Sequence, residues 1–186
     1  MYNKLNKNIM KRRKNINCNA EEKMTARLSK ALSLKCGMHP DIAERVYEAA
    51  LTHDVGKSAI PAEILNKPGK LTEAEHEIMK THTTAGAGIL SEMPGKTGKI
   101  AAKIALWHHE RYDGEGYWRR FTDELPLYVS IVSVADVYCA LIHARAYKSM
   151  WTKQDALNYI RNEANTRFNP VLVKAFLELM RSGDFD

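Results

Sequence analysis

The stretch Leu51-Thr52-His53-Asp54-Val55-Gly56-Lys57 decides how the rest of the chain is interpreted. It places a histidine beside an aspartate at the end of a segment with helical periodicity. Neighbouring residues lie about 100° apart around a helix, so both side chains can reach one pocket only near the helix end. A neutral imidazole gives one nitrogen to one metal, whereas a carboxylate can bind two metals about 3.5–4 Å apart. The pair therefore indicates a metal site if further ligands follow downstream.

Four further histidine and aspartate side chains downstream can supply such ligands. They are His82, His108, His109 and Asp136. Asp136 lies in the most apolar segment of the chain, where an unpaired charge is costly, so it needs a hydrogen bond, an ion pair or a metal. Simpler interpretations stay open: Asp136 could face water, His108-His109 could favour a helix C-terminus, and His82 could be an ordinary histidine. Taken together, these nitrogen and oxygen donors without thiolates suit Fe, Mn, Ni or Zn, and two such metals would activate water for phosphoester hydrolysis.

Helical periodicity runs through residues 20–186, and no convincing alternating strand pattern occurs. The sequence therefore predicts an all-α fold, a single-domain bundle of six or seven helices. A capping box at Thr72-Glu-Ala-Glu75 predicts a long helix that runs to about Met93. Gly98 is expected to break the chain, so that the next helix spans Lys99–Trp107.

Charge is concentrated at the N-terminus. The net charge is +6, but residues 1–20 hold six basic side chains and no acid, which leaves 22 basic against 22 acidic residues elsewhere. We expect residues 1–19 to form a basic, disordered tail, the alternative being an arm for nucleic acid or membrane. The three cysteines form no CxxC pattern, and no membrane span or secretory signal is evident, so we expect reduced thiols and a cytoplasmic location.

The ordered series of motifs resembles the HD-GYP subgroup of the HD phosphohydrolase superfamily over roughly residues 20–180. The motifs are His53-Asp54-Val-Gly-Lys57, Ile60–Leu71, Met79-Lys-Thr-His82, His108–Tyr117, Val134–Leu141 and Thr166–Pro170. The resemblance implies an HD-type helical domain that hydrolyses the bacterial messenger cyclic di-GMP at a binuclear or trinuclear metal centre. In three places this chain departs from an expected proline, at Thr83, Trp118 and Ala146.

The resemblance also implies roles for individual side chains. The implied metal ligands are His53, Asp54, His82, His108, His109 and Asp136, with Asp54 bridging. The implied catalytic residues are Asp54 and Lys57, and the implied substrate-facing residues are Lys57, Gly116, Tyr117, Arg145 and Lys148. Glu21 stands where the pattern has a further histidine, and it is either a weakly held metal ligand or a solvated acid in the first turn of a helix. We therefore expect two divalent metals and not three, Fe or Mn in preference to Ni or Zn.

The function predicted in this way is hydrolysis of cyclic di-GMP to the linear dinucleotide pGpG or to GMP. One alternative is a generic HD phosphohydrolase that acts on another nucleotide or phosphoester. The other is a degenerate signalling module that binds a nucleotide or a partner without turnover. Signalling proteins and a second copy of the chain are the candidate protein partners, and no stable nucleic-acid or membrane partner is expected.

Overall fold

The computed structural model describes residues 20–119, 124–143, 151–183 and 185 of the chain. Within these ranges the secondary structure is helical, with no strand. The α-helices are α1 (Ala20–Lys35), α2 (Pro40–Ala50), α3 (Ala62–Leu65), α4 (Glu73–Ser91), α5 (Gly95–Trp107), α6 (Leu127–Ile142), α7 (Lys153–Asn162) and α8 (Pro170–Met180). A 3₁₀-helix, Val55–Ala59, lies between α2 and α3. The all-α prediction is confirmed, with seven longer helices and the single turn of α3. The predicted tail, residues 1–19, lies outside the described residues.

The starts of helices α4 and α5 show one correct and one wrong prediction. The capping box is present: the Thr72 hydroxyl accepts from the Glu75 amide at 3.3 Å, and the Glu75 carboxylate accepts from the Thr72 amide at 2.7 Å. Helix α5, however, begins at Gly95 and continues through Gly98. A Cβ atom at Gly98 would lie 2.2 Å from the Met93 carbonyl oxygen. Gly98 therefore permits a close approach of two backbone segments, and the predicted chain break there was wrong.

Helix α6 lies between two clusters of buried apolar side chains. One cluster joins α6 to α1, α7 and α8 and includes Leu28, Ile131, Ile160 and Phe176. The other joins α6 to α2, α4 and α5 and includes Val46, Leu90, Ile104 and Val132. Complete burial of such a side chain stabilises the fold by about 1.5–3 kcal/mol. Because both sides of α6 are packed in this way, the backbone that carries Asp136 is held firmly.

Two glycines bring the His53-Asp54 turn against α4. A Cβ atom at Gly56 would lie 1.9 Å from the His82 carbonyl oxygen and 2.5 Å from the Gly86 amide nitrogen. Only a glycine permits backbones to approach so closely. Gly56 thus places the turn after α2 directly beside the part of α4 that carries His82.

No helix in the described part of the chain is both long enough and apolar enough to cross a lipid bilayer.

Candidate metal centre

The predicted ligand side chains come from four separate helical segments, and the fold brings them together. His53 and Asp54 lie in the turn after α2, His82 lies within α4, and Asp136 lies on α6. His108 and His109 follow the last residue of α5. Thus the end of one helix, the end of another and the middles of two more converge on one point.

The orientation of three histidines is fixed by their own helices. In each case Nδ1 lies within hydrogen-bonding distance of a backbone carbonyl three or four residues earlier. The distances are 2.7 Å from His53 to Ala50, 2.7 Å from His82 to Met79, and 3.0 Å from His108 to both Ile104 and Ala105. A carbonyl can only accept, so Nδ1 carries a proton and the Nε2 atom faces the cluster. When the ring is neutral, a proton on Nδ1 leaves Nε2 free to bind a metal.

The two oxygens of the Asp54 carboxylate face two different groups of donors. Oδ2 lies 3.3 Å from His53 Nε2, which itself lies 3.3 Å from Asp136 Oδ1. Oδ1 lies 3.4 Å from His82 Nε2 and 3.7 Å from His108 Nε2. One donor atom each from Asp54, His82, His108 and His109 lie within 4.8 Å of one another. Asp54 is therefore the residue that the two groups share.

Several of these donor atoms are buried without a hydrogen bond. Within the described part of the chain, Asp54 Oδ1, His82 Nε2 and His108 Nε2 have no hydrogen-bond partner. Leaving a buried polar atom unsatisfied costs about 1–3 kcal/mol, so such atoms are uncommon unless a ligand uses them. Three unsatisfied atoms that point toward each other fit a bound metal ion.

Burial keeps three of the histidines neutral at pH 7. It lowers the pKa of His108 to about 4, with the charge on His53 acting in the same direction. Burial also lowers the pKa of His82, and burial together with His108 lowers the pKa of His109 well below its usual range. Neutral imidazole is the form that coordinates a metal, so these side chains need not release a proton at pH 7 to bind one.

The remaining three groups form a buried charged set. Burial opposes ionisation of His53, but the neighbouring carboxylates of Asp54 and Asp136 outweigh it and raise the His53 pKa well above its usual range. Burial likewise opposes ionisation of both carboxylates, but His53 outweighs it and lowers their pKa values, with Lys57 adding to the effect on Asp54. The two carboxylates thus attract positive charge to the space between them.

A cavity of about 480 Å³ opens beside this charged set. Its lining includes His53, Asp54, Asp136, Lys57 and Glu21. Lys57 Nζ lies 2.5 Å from Asp54 Oδ2, and the Lys57 side chain is 37% exposed. Glu21 belongs to the first turn of α1. A lysine and a further carboxylate therefore accompany the donor atoms at the open side of the cluster.

The loop after His109 covers another side of the cluster. The Tyr117 ring lies 4.5 Å from the His109 ring, at an interplanar angle of 34°. Gly116 packs against Glu110, where a Cβ atom would lie 2.5 Å from the Glu110 Cα. Arg145 and Lys148, the other two predicted substrate-facing residues, lie outside the described residues.

Glu110 is a buried acid that the sequence analysis missed. It is 2% exposed, and its Oε1 atom accepts a hydrogen bond from the Trp118 amide at 2.8 Å. An acid in a polar, glycine-containing loop is normally expected in water. The available signal was its position directly after two histidines. A loop that covers buried histidines has buried backbone amides, and those amides need an acceptor such as a carboxylate.

An all-α domain in which histidines and aspartates from four helical segments converge on one shared aspartate defines a class of helical metal-binding domains. This chain belongs to the HD-domain family: the family model described as "HD domain" matches residues 4–172. The predicted family is thereby confirmed.

Relatives of this chain agree with that assignment. It is 44% identical over 142 residues to the "Cyclic di-GMP phosphodiesterase response regulator RpfG" of Xanthomonas campestris, covering 76% of this chain and 38% of that protein. It is 38% identical over 143 residues to the "3'3'-cGAMP-specific phosphodiesterase 2" of Vibrio cholerae, covering 76% of this chain and 27% of that protein. The chain therefore spans well under half the length of these relatives.

A solved structure has the same fold. Bd1817 of Bdellovibrio bacteriovorus, described as an HDG"Y"P protein, superposes with a TM-score of 0.68 at 18% identity. The superposition covers 87% of this chain and 51% of that one. This likeness shows that the chain has the predicted HD-type helical fold.

Proposed function

We propose that this domain is a metal-dependent phosphodiesterase that hydrolyses cyclic di-GMP to pGpG or GMP. The observation that carries the proposal is the division of donors around Asp54, whose two oxygens face separate groups of histidine and aspartate side chains. The relative of 44% identity that is named a cyclic di-GMP phosphodiesterase supports the choice of substrate.

Each group of donors around Asp54 would hold one metal. His82, His108 and His109 would bind the first with Oδ1 of Asp54, and His53 and Asp136 would bind the second with Oδ2. Two divalent transition metals, Fe or Mn in preference to Ni or Zn, would activate water and withdraw charge from the phosphate when bound. The first group has three histidine nitrogens, whereas the second has one histidine nitrogen and a further carboxylate. This difference supports two metals with different environments.

Lys57 would contact the phosphate. The Lys57 ammonium group is paired with Asp54, so its position depends on that proposed metal ligand. The partly exposed Lys57 side chain also lines the cavity. An ammonium at this point would neutralise one phosphodiester charge of the substrate. Gly116 and Tyr117 would face the substrate from the other side, and Arg145 and Lys148 would hold the second phosphate.

The proposal is tested by replacing the shared ligand. Asp54→Asn keeps the shape of the side chain but removes the negative charge, so the protein should hold less metal. Cyclic di-GMP turnover should fall by at least about 100-fold, as expected when a group that acts on the transition state is lost. Metal content and turnover are measured on the same anaerobically purified sample. Glu92→Gln, at the exposed residue that directly follows α4, is the control for removal of an acid. Undiminished turnover in Asp54→Asn refutes the mechanism.

Glu21 decides the number of metals. Its place in the cavity lining near Asp136 supports a loosely held ligand, whereas its position in the first turn of α1 also suits a solvated acid. We propose two metals, with Glu21 at the weaker side of the second. Glu21→Ala should bind fewer metals or hold the second metal more weakly. Glu22→Ala, at a residue that lines the same cavity, is the matched control. Three tightly bound metals in the parent protein would contradict the count.

A second candidate substrate is 3'3'-cGAMP, because a relative of 38% identity is named for it. Side-by-side turnover of the two cyclic dinucleotides by the unaltered protein distinguishes them. A higher kcat/KM for cGAMP would assign the domain to that substrate. Binding of either dinucleotide without turnover in metal-loaded protein would instead identify a signalling module.

A further inference from the structure

A hydrogen bond joins α4 to the loop that covers the metal-binding cluster. The indole Nε1 of Trp118 donates to the Thr83 hydroxyl oxygen at 3.1 Å, across 35 positions of sequence. Thr83 directly follows His82 and is fully buried. Its own hydroxyl proton is directed to the Lys80 carbonyl at 2.9 Å. The Thr83 oxygen therefore acts as the acceptor for Trp118, and the direction of the bond is determined.

Trp118 is not held by burial of its ring. It is 41% exposed, so its apolar area contributes only part of what a buried tryptophan would. Its polar groups are directed inward instead: the backbone amide donates to the buried Glu110 carboxylate at 2.8 Å, and the indole donates to Thr83. Trp118 thus links the His109–Glu110 end of the loop to the helix that carries His82.

The residue between Gly116 and Trp118 contacts the histidines. The Tyr117 ring packs on His109 at 4.5 Å and also lies 6.3 Å from the His82 ring. Gly116 has no space for a side chain against Glu110. With Gly116 packed on one side and Trp118 hydrogen-bonded on the other, the backbone of Tyr117 has little freedom to move away from His109.

We propose that Trp118 and Thr83 form a positioning pair, in which the indole–hydroxyl hydrogen bond fastens the loop to α4 and thereby holds Tyr117 against His109. This inference rests on the proposed function in that His109 serves as a metal ligand. Neither residue of the pair touches the metal or the substrate. The pair limits the movement of His109 and slows the release of the metal that His109 binds.

Three substitutions separate the hydrogen bond from packing. Thr83→Val removes the acceptor and keeps the shape, Thr83→Ser keeps the hydroxyl, and Trp118→Phe removes the donor and keeps an aromatic ring. The matched control is Thr84→Val, because Thr84 is exposed and makes the same type of backbone hydrogen bond, to Thr81 at 2.9 Å.

The first measurement is the ¹⁵N–¹H signal of the Trp118 indole in the full chain, assigned by its absence in Trp118→Phe. The signal should move upfield in Thr83→Val and stay near its original position in Thr83→Ser and Thr84→Val. An unchanged signal in Thr83→Val overturns the hydrogen bond. Because this measurement needs no metal and no substrate, it stands even if the proposed function fails.

The second measurement is the rate at which Zn²⁺ leaves the loaded protein after addition of excess chelator. The net contribution of one hydrogen bond corresponds to about a 3- to 10-fold change in a rate or equilibrium constant. Thr83→Val and Trp118→Phe should therefore each accelerate Zn²⁺ release by about that factor. The double variant should be no faster than either single variant, and Thr83→Val should have no further effect in a Tyr117→Leu background.

The outcomes separate the two hypotheses. Failure of the parent protein to retain Zn²⁺ contradicts the proposed metal centre and, with it, the role of His109. Retention of Zn²⁺ by the parent with unchanged release from Thr83→Val, or additive effects in the double variant, overturns the positioning pair alone. If Thr83→Val instead destabilised the whole fold, its free energy of unfolding in urea would fall, and it would still accelerate Zn²⁺ release in the Tyr117→Leu background. The positioning role predicts neither result.

Discussion

Replacement of Gly56 by alanine should separate the His53-Asp54 turn from α4. The added Cβ atom would lie 1.9 Å from the His82 carbonyl oxygen, about 1.5 Å short of the 3.4 Å at which ordinary contact begins. The other nearby atoms, the Gly86 amide nitrogen and Cα at 2.5 and 2.9 Å, also belong to backbone. Because no side chain can rotate out of the way, either the turn or α4 must move.

The cost should lie at the upper end of the range for overpacking, about 3 kcal/mol. Alanine also reduces the conformational entropy of the unfolded chain, which stabilises the folded state by about 0.4–1 kcal/mol and offsets part of this cost. Gly88, on α4, supplies the matched control, since a Cβ atom there meets nothing within 4 Å. Gly88→Ala should stabilise the protein by about 0.5–1 kcal/mol, because alanine is the better helix former.

The measurement is urea unfolding of both variants, with and without bound metal. Whichever backbone moves carries proposed ligands, His53 and Asp54 in the turn or His82 in α4, so Gly56→Ala should also lose metal affinity, and its loss of stability should be larger in the metal-loaded form. Gly88→Ala should keep the metal. A free energy of unfolding for Gly56→Ala within about 0.5 kcal/mol of the parent, together with unchanged metal affinity, would refute this account of how the centre is assembled.

Two further predictions concern charged side chains. The Arg111 guanidinium holds the pKa of Asp113 below its ordinary value of 3.8 through two hydrogen bonds of 3.0 and 2.6 Å; Asp113→Asn should therefore cost at most about 1 kcal/mol at pH 7. That difference should be complete above the ordinary pKa and disappear as the pH falls through the lowered one, and a difference that grew on acidification would contradict it. Arg145→Ala should weaken turnover of cyclic di-GMP about 10- to 100-fold more than that of p-nitrophenyl phosphate, as expected for loss of a charge-assisted contact; equal losses would favour a generic phosphohydrolase.

The candidate donors could be found from their positions along helices, whereas the meeting of their four segments was implied only by the resemblance to the HD-GYP subgroup. His53-Asp54 and His108-His109 each follow a helix, and a helix end is where adjacent side chains can face one point. Asp136 was predictable for a different reason, since a carboxylate in an apolar helix needs a partner. These arguments use only local geometry and the cost of burying charge, and neither requires knowledge of which helices are neighbours.

The glycines show where such reasoning fails. Gly98 was expected to interrupt a helix, yet it lies within α5, close to the Met93 carbonyl. Gly56 follows soon after the end of α2, as a helix-ending glycine would, but its main role is the close approach to α4. A glycine can supply backbone flexibility or leave space for a neighbour, and the second role depends on which segment packs against it. Gly86, the partner of Gly56, could not be found without that information.

The Trp118–Thr83 contact has the same origin. Each residue could be recognised in the sequence as a departure from an expected proline, but the two are 35 positions apart and follow no common period. Along the sequence, the loss of a proline in the loop at Trp118 and the loss of a proline in α4 at Thr83 look like independent changes. The fold makes them a single interaction between the two segments that carry His82 and His109.

The centre carries a stability cost that the rest of the domain must offset. Buried and unpaired donor atoms on Asp54, His82 and His108 lower the stability of the fold whenever nothing is bound to them. The apolar clusters on both sides of α6 and the close Gly56–Gly86 approach provide the compensating packing, and they hold the donors where they cannot turn toward other partners. A bound metal would remove the cost in the folded state only, so metal binding would be coupled to folding. The same rigidity that makes these atoms unsatisfied would allow them to bind a metal without first rearranging.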